Sequence, residues 1–243
     1  MNGRVALVTG AGQGIGKAIA AALADAGAVV AVNDMDPVRA VAAADEIGRG
    51  AIAAVADVSD AGRVRAIFEE TRRRLGPAEI LVNNAGICRR GLIEDLCQED
   101  WDRVLAVNLK GTFLCCKEAV PDMKARKWGR IVSIASISGK IGGLMVGHHY
   151  SASKGGVLAF TKGLARELAP HGITVNAVCP ALADTEIAEM FSEQELERYL
   201  KGVPLGRLAR PEDVAQAVVY LASDAAAYIT GEVLDVNGGL LMD

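Results

Sequence analysis

Val5-Ala6-Leu7-Val8-Thr9-Gly10-Ala11-Gly12-Gln13-Gly14-Ile15-Gly16 is the stretch on which the fold turns. Val5–Thr9 is a short run of small aliphatics without polar alternation, the pattern of a strand covered on both faces. Four glycines follow, and then a helix runs through about Ala26. Glycine at such a junction permits a tight turn, close backbone approach to a pyrophosphate and tight packing of helix on strand. The helix N-terminus adds unpaired N–H groups and the positive end of its dipole. A glycine-rich loop alone is weak evidence, because glycines also serve ordinary turns. Strand before and helix after make this one a dinucleotide-binding signature.

The same alternation continues outward along the chain. Ala28–Asn33, Ala51–Ala56, Ile80–Asn83, Arg130–Ile134, Thr174–Val178 and Val233–Val236 read as strands. Helices are expected from Pro37, over Asp60–Leu75, and near Trp101–Ala125, Ser151–Ala169 and Pro211–Ser223. Asp36-Pro37, Asp60 and Arg210-Pro211 supply helix-starting residues. Strict succession of strand and helix predicts an α/β fold, a parallel sheet with helices on both faces. The one departure is Asp184–Gly202, where Ile187, Met190, Phe191, Leu196, Tyr199 and Leu200 have roughly helical spacing. It is expected to form a helical lid at about 184–202, within a single domain spanning 1–243.

Composition narrows the class. The chain has 243 residues, 51% hydrophobic but only 4% aromatic, enough for a sizeable core and too apolar for a disordered chain. No uncharged apolar run reaches the ~18 residues of a membrane span, and no signal-peptide pattern opens the chain. Five cysteines, odd in number and without C-x-x-C spacing, suit reduced thiols in the cytoplasm and no metal site. A net charge of −4, with Arg72-Arg73-Arg74 as the main basic cluster, argues against nucleic acid as partner. That triplet suits an exposed helix C-terminus.

Two further features carry chemistry. Asp34 ends the second strand about 20 residues past the loop, where a carboxylate accepts adenine-ribose hydroxyls. It would repel the 2′-phosphate of NADP by up to roughly 4 kcal/mol at contact. A solvated turn is the alternative for Asp34, and Asp36 is equally placed for one; Arg39 is the nearest cation. NAD is therefore expected over NADP. Tyr150 and Lys154 stand four apart and share one face of a helix. An adjacent ammonium is expected to lower the Tyr150 pKa from about 10 toward the working range of a general acid/base. In isolation this spacing is also common on exposed helix faces.

With these residues in view, the chain resembles the short-chain dehydrogenase/reductase family, in its short single-domain branch. Thr9–Gly16, Asn83-Asn84-Ala85-Gly86, Asn108, Ser136, Tyr150/Lys154 and Asn237-Gly238-Gly239 match its motifs in order, over essentially the whole chain. The resemblance implies a doubly wound Rossmann fold, seven parallel strands in the order 3-2-1-4-5-6-7. It implies catalysis by Tyr150 as proton donor or acceptor, with Lys154 on the nicotinamide ribose and Ser136 on the reacting oxygen. Asn108 would kink its helix and hold a water in a proton relay. Ser136 stands one residue further from Tyr150 than is usual, which suggests an insertion in the Gly139–Gly147 loop; Ser138 is the alternative. Gly10, Gln13, Gly14, Ile15 and Gly16 would line the pyrophosphate, with Asp34, Asp57 and Val58 at the adenosine. Asn84, Ala85 and Gly86 would lie beside the adenosine ribose. Pro180 and Thr185 would hold the carboxamide, although Ala181 replaces the family's glycine.

For the substrate, Cys88, Arg89, Arg90, Met145, His148, His149 and the lid are the candidates at the nicotinamide end. Arg89 and one histidine, His148, are expected to meet a polar or anionic group; the competing account is that both histidines are simply solvated on a loop before the helix. The overall pattern is similar to 3-oxoacyl-carrier-protein reductases and to polyol and secondary-alcohol dehydrogenases. Asp34 disfavours the NADP that the reductases generally use, and their carrier-binding arginine pair is here Lys127 and His171. The expected activity is therefore NAD-linked interconversion of a secondary alcohol or polyol and its ketone, with NADPH-linked 3-oxoacyl reduction as the alternative. A non-catalytic dinucleotide-binding protein would be expected to lack one of Ser136, Tyr150 and Lys154, and a sugar epimerase to have a substrate domain. The resemblance also implies a homotetramer, consistent with the apolar tail Leu240-Leu241-Met242.

Overall fold

Strand and helix alternate as the apolar runs require, in a computed structural model that describes residues 1–143 and 145–242. The strands are β1 (Val5–Val8), β2 (Val29–Asp34), β3 (Ile52–Val55), β4 (Ile80–Asn83), β5 (Gly129–Ile134), β6 (Ile173–Pro180) and β7 (Val233–Val236). All pair in parallel, in the order β3-β2-β1-β4-β5-β6-β7. The chain winds outward from β1 to β3, then returns to β4 and winds the other way. At that reversal the loops after β1 and β4 diverge and leave a crevice at the carboxyl ends of the strands.

The helices are α1 (Gly14–Asp25), α2 (Pro37–Ile47), α3 (Ala61–Arg74), α4 (Gln98–Leu105), α5 (Gly111–Arg126), α6 (Ser138–Ile141), α7 (His148–Leu168), α8 (Glu193–Leu200) and α9 (Pro211–Ala222). Side chains alternate across a strand, so each strand feeds two cores. Val8, Val32 and Ile80 meet Ile19 and Leu23 of α1 and Val218 and Leu221 of α9 on one face. Leu7, Leu81 and Ile131 meet Phe68 of α3, Met123 of α5 and Leu168 of α7 on the other. Asp36 accepts from Val38 N at 2.8 Å, and Asp60 accepts from Gly62 N at 2.8 Å, so both open their helices as expected.

Two elements differ from expectation. The helix expected over Trp101–Ala125 is α4 and α5 joined by a π turn, Ala106–Lys110, which carries Asn108. The expected continuous lid is instead a short 3-10 turn, Ala188–Met190, and α8. Ser192 interrupts it, because its hydroxyl accepts from Glu195 N and starts a new helix with a capping box.

At the amino ends of the strands, Trp128 lies between Arg4 and Arg130, whose guanidinium carbons sit 3.8 and 4.4 Å from the ring centre. Both arginines also face Asp224, at 3.1 and 3.6 Å. Among the described residues no helix is long and apolar enough to cross a membrane, and no cluster of His, Cys, Asp or Glu is arranged to hold a metal.

Candidate active site

A cavity of about 750 Å³ runs along the carboxyl ends of the strands. Its first wall is the glycine loop. Gly10 adopts φ +60°, and a methyl there would stand 2.8 Å from the Ala85 backbone. A methyl at Gly16 would collide with the Gly10 carbonyl and the Asn84 amide. Asn84 Nδ2 donates to the carbonyls of Thr9 and Gly10 at 2.9 Å, which ties the loop after β4 to the loop after β1. The loop is thus held open-faced, with the α1 N-terminus aimed into the cavity. Such a shape fits a dinucleotide pyrophosphate.

Each residue expected at the cofactor borders this cavity: Gly10, Gln13, Gly14, Ile15 and Gly16 on the loop, then Asp34, Asp57 and Val58. Asn84, Ala85 and Gly86 form its floor, and Pro180 and Thr185 its far end. Ala181 is absent from the residues with left-handed φ, so its methyl costs no backbone strain, and Thr185 still approaches the glycine loop.

Asp34 is less available than its position suggests. Oδ2 accepts from Gly12 N at 3.2 Å and Oδ1 from Asp36 N at 3.0 Å, while Arg39 Nε stands 3.9 Å from Oδ1. Two backbone donors and Arg39, whose Nε also stands 3.4 Å from Asp36, thus engage the Asp34 carboxylate before any ligand arrives.

At the other end stand Tyr150 and Lys154, one turn apart on α7, both lining the cavity. Ser136, just beyond β5, lines the cavity too and is near enough to Tyr150 to favour the phenolate slightly. Ser138 instead donates its backbone N–H to Ser136 Oγ at 3.1 Å, so Ser136 is the serine brought to the phenol. Lys154 Nζ donates to the Ile134 carbonyl at 2.7 Å and lies 5.7 Å from the Tyr150 ring centre.

Burial here runs against the expected effect of Lys154 on Tyr150. It pushes the Tyr150 phenol above its ordinary range, and it pulls the Lys154 ammonium down to about 8. A low-dielectric pocket penalises both charged forms, and the ammonium directs its proton to a carbonyl rather than to the phenol.

Asn108 does not line the cavity but stands behind it. Its Oδ1 accepts from Ile87 N at 2.8 Å, and its Nδ2 donates to the Ile87 carbonyl and to Ser153 Oγ, both at 3.0 Å. A methyl at Gly86 would meet both Asn108 Oδ1 and Lys154 Nζ, at 3.3 and 3.4 Å, so the three converge.

The structure does not bring Arg89 or His148 to the cavity. Arg89 Nη1 pairs with Asp100 at 3.1 Å, and His148 is exposed at the start of α7. Their neighbours turn the other way: Cys88 lines the cavity and His149 is fully buried. Arg90 does not line the cavity but meets residues that do, donating to the Met190 carbonyl at 3.0 Å, with its guanidinium carbon 4.8 Å above the Phe191 ring, and it also pairs with Glu195. Leu240, expected at an interface between copies of the chain, also lines the cavity, which its place in an apolar tail did not signal. Lys127 ends α5 just before β5, and His171 precedes β6, so both lie at the amino end of the sheet, opposite the cavity.

Residues 10–241 match the family model described as enoyl-(acyl carrier protein) reductase. The chain is 43% identical to a 3-oxoacyl-(acyl-carrier-protein) reductase of Aquifex aeolicus, across 99% of this chain and 98% of that one. It is 40% identical to the protein of the same name from Escherichia coli, across 99% and 98%. Nodulation protein G of Azospirillum brasilense is 41% identical, across 99% of each. A parallel sheet wound both ways from β1, a glycine cradle at its switch point, Tyr150 and Lys154 facing that cradle, and full-length matches of this kind place the chain in the short-chain dehydrogenase/reductase family of oxidoreductases.

Proposed function

We propose that this protein reduces the 3-keto group of an acyl thioester with NADPH. The observation that carries the reading is the lining of the cavity beyond Tyr150. Ile141, Met145, Val146, Ile187, Met190 and Phe191 all line it. A polyol there would bury hydroxyls without partners, at about 1–3 kcal/mol each. An acyl chain would gain about 0.8 kcal/mol per methylene buried. The names of the similar proteins agree, and the expected polyol or alcohol dehydrogenase is the less well supported reading. Engagement of Asp34 by its own backbone and by Arg39 supports NADPH over the expected NAD.

The bound nicotinamide supplies the hydride; the chain supplies the proton and the geometry. Burial keeps the Tyr150 phenol protonated at neutral pH, the state a donor to a carbonyl oxygen requires. Ser136, beside that phenol in the cavity, would hold the same oxygen. Lys154 remains largely charged at neutral pH, and its field favours the phenolate left after donation. Asn108, through Ile87 and Ser153, fixes the backbone behind both groups.

The test is turnover with each cofactor. NADPH-linked reduction of a 3-oxoacyl thioester, well above NAD-linked oxidation of polyols, is the expected result. NAD-linked polyol oxidation without thioester reduction would overturn the proposal. The exposed apolar groove formed by Leu105, Leu109, Phe113 and Phe160 supports assembly with further copies of the chain, and a monomeric mass in solution would refute that part.

A further inference from the structure

A chain of polar contacts crosses the cavity from the adenosine corner to the segment that roofs the nicotinamide end. Arg39 stands 3.9 Å from Asp34 and 3.4 Å from Asp36, and donates from Nη1 to Gln13 Oε1 at 2.6 Å. Gln13 donates in turn from Nε2 to Glu186 Oε2, on the stretch that follows β6. Arg39, Gln13 and Glu186 all border the cavity. A guanidinium only donates and a carboxylate only accepts, whereas a glutamine amide has one end of each kind. Gln13 therefore satisfies both neighbours in a single orientation, with oxygen toward Arg39 and nitrogen toward Glu186. The carboxylate fixes the amide, and the amide fixes the guanidinium beside Asp34. Arg39 Nε is buried at that corner, facing both Asp34 and Asp36 without a hydrogen bond to either, so the terminal guanidinium nitrogens are the ones an incoming anion would meet.

We infer that Glu186 is a cofactor-selecting residue that acts through Gln13, by holding Arg39 ready for the 2′-phosphate that distinguishes NADPH from NADH. Its carboxylate directly opposes NADPH more than NADH, because the 2′-phosphate adds charge, so this repulsion and the hold on Arg39 act on the ratio in opposite directions. Its hold on Arg39 concerns only the dinucleotide that carries the extra phosphate. The inference rests on the dinucleotide reading of the cavity and deepens it.

The experiment titrates the purified protein with NADH and with NADPH, following nicotinamide fluorescence on binding, with no substrate present. In Glu186→Ala, the preference for NADPH over NADH is expected to fall about three- to tenfold. Glu186→Gln, whose amide can turn either end to Gln13, should fall between this variant and the parent. In an Arg39→Leu background, Glu186→Ala should no longer lower the ratio, because the group it positions is gone and only its direct repulsion is relieved. An unchanged ratio in Glu186→Ala, or an equal shift without Arg39, would overturn the inference while leaving the cofactor site intact. Failure of the parent protein to bind either dinucleotide would instead remove the cofactor reading, and this one with it.

Discussion

Tyr150 and Lys154 show how one helical turn sets two opposed titrations. The pocket that keeps the phenol protonated also weakens the ammonium, because neither charge is well solvated there. Tyr150→Phe keeps the ring and removes the proton; ketone turnover should fall at least ~1000-fold while NADPH binding holds within about twofold. Retained kcat would remove Tyr150 from the chemistry. Lys154 offers a stability test. Its pKa is lower folded than the 10.5 of the unfolded chain, so the unfolded state binds more protons between about 8 and 10.5. Stability owed to this residue should therefore rise with pH through that window. Relative to Lys154→Met, the parent should gain on the order of 1–2 kcal/mol in urea unfolding between its folded and unfolded pKa. A pH-independent difference would show that burial does not depress the ammonium. Both residues are legible in the sequence, because a spacing of four fixes a shared face. Arg89 and His148 are not, because adjacent loop residues turn to opposite sides and nothing in their identity says which side faces the cavity.

Helix ends and breaks lie at the scale of elements, and here reading from sequence was less complete. Apolar spacing runs on through Ala106–Lys110 with no proline or glycine inside it, so the break that sets Asn108 against Ile87 was announced only by the family resemblance and not by the local pattern. Asp36 and Asp60, by contrast, announce their helices through a local chemistry that needs no tertiary contact. The roof was legible as helical but not as two pieces. Its attachment depends on Arg90, whose one guanidinium meets a carbonyl, a carboxylate and an aromatic face. Burial is slight at this pair, yet the guanidinium beside Glu195 holds that carboxyl down to about 2, so the tie should persist in mild acid. Arg90→Ala should raise the KM for a long-chain 3-oxoacyl thioester several-fold, with a smaller change in kcat. It should also speed proteolytic cleavage within residues 186–196. An unaltered cleavage pattern would mean that the roof is held elsewhere.

Across the whole molecule, the parallel α/β class was legible in the alternating runs, whereas the strand order came only through the family resemblance, because strand neighbours are set by contacts that no local run records. The substrate end was not legible, because its walls come from α6, the roof and Leu240, brought together only by the closed fold. Stability is supported at the opposite end of the sheet, where Trp128 joins the chain start, β5 and the turn after α9 through Arg4, Arg130 and Asp224. Trp128→Ala should cost about 2–3 kcal/mol in denaturant unfolding, from lost packing and two cation–π contacts, and leave dinucleotide affinity unchanged. A loss below about 0.5 kcal/mol would show that the stack carries little. That stack has an optical consequence. The chain has two tryptophans, and the second, Trp101, is 40% exposed on α4, the helix that follows the loop bearing Cys88 and Arg90. One fluorophore is locked in the scaffold and the other stands in solvent beside the cavity loop. Emission from Trp128 thus reports the unfolding of the sheet, and quencher access to Trp101 reports the loop, so the two can be watched independently in one unlabelled chain.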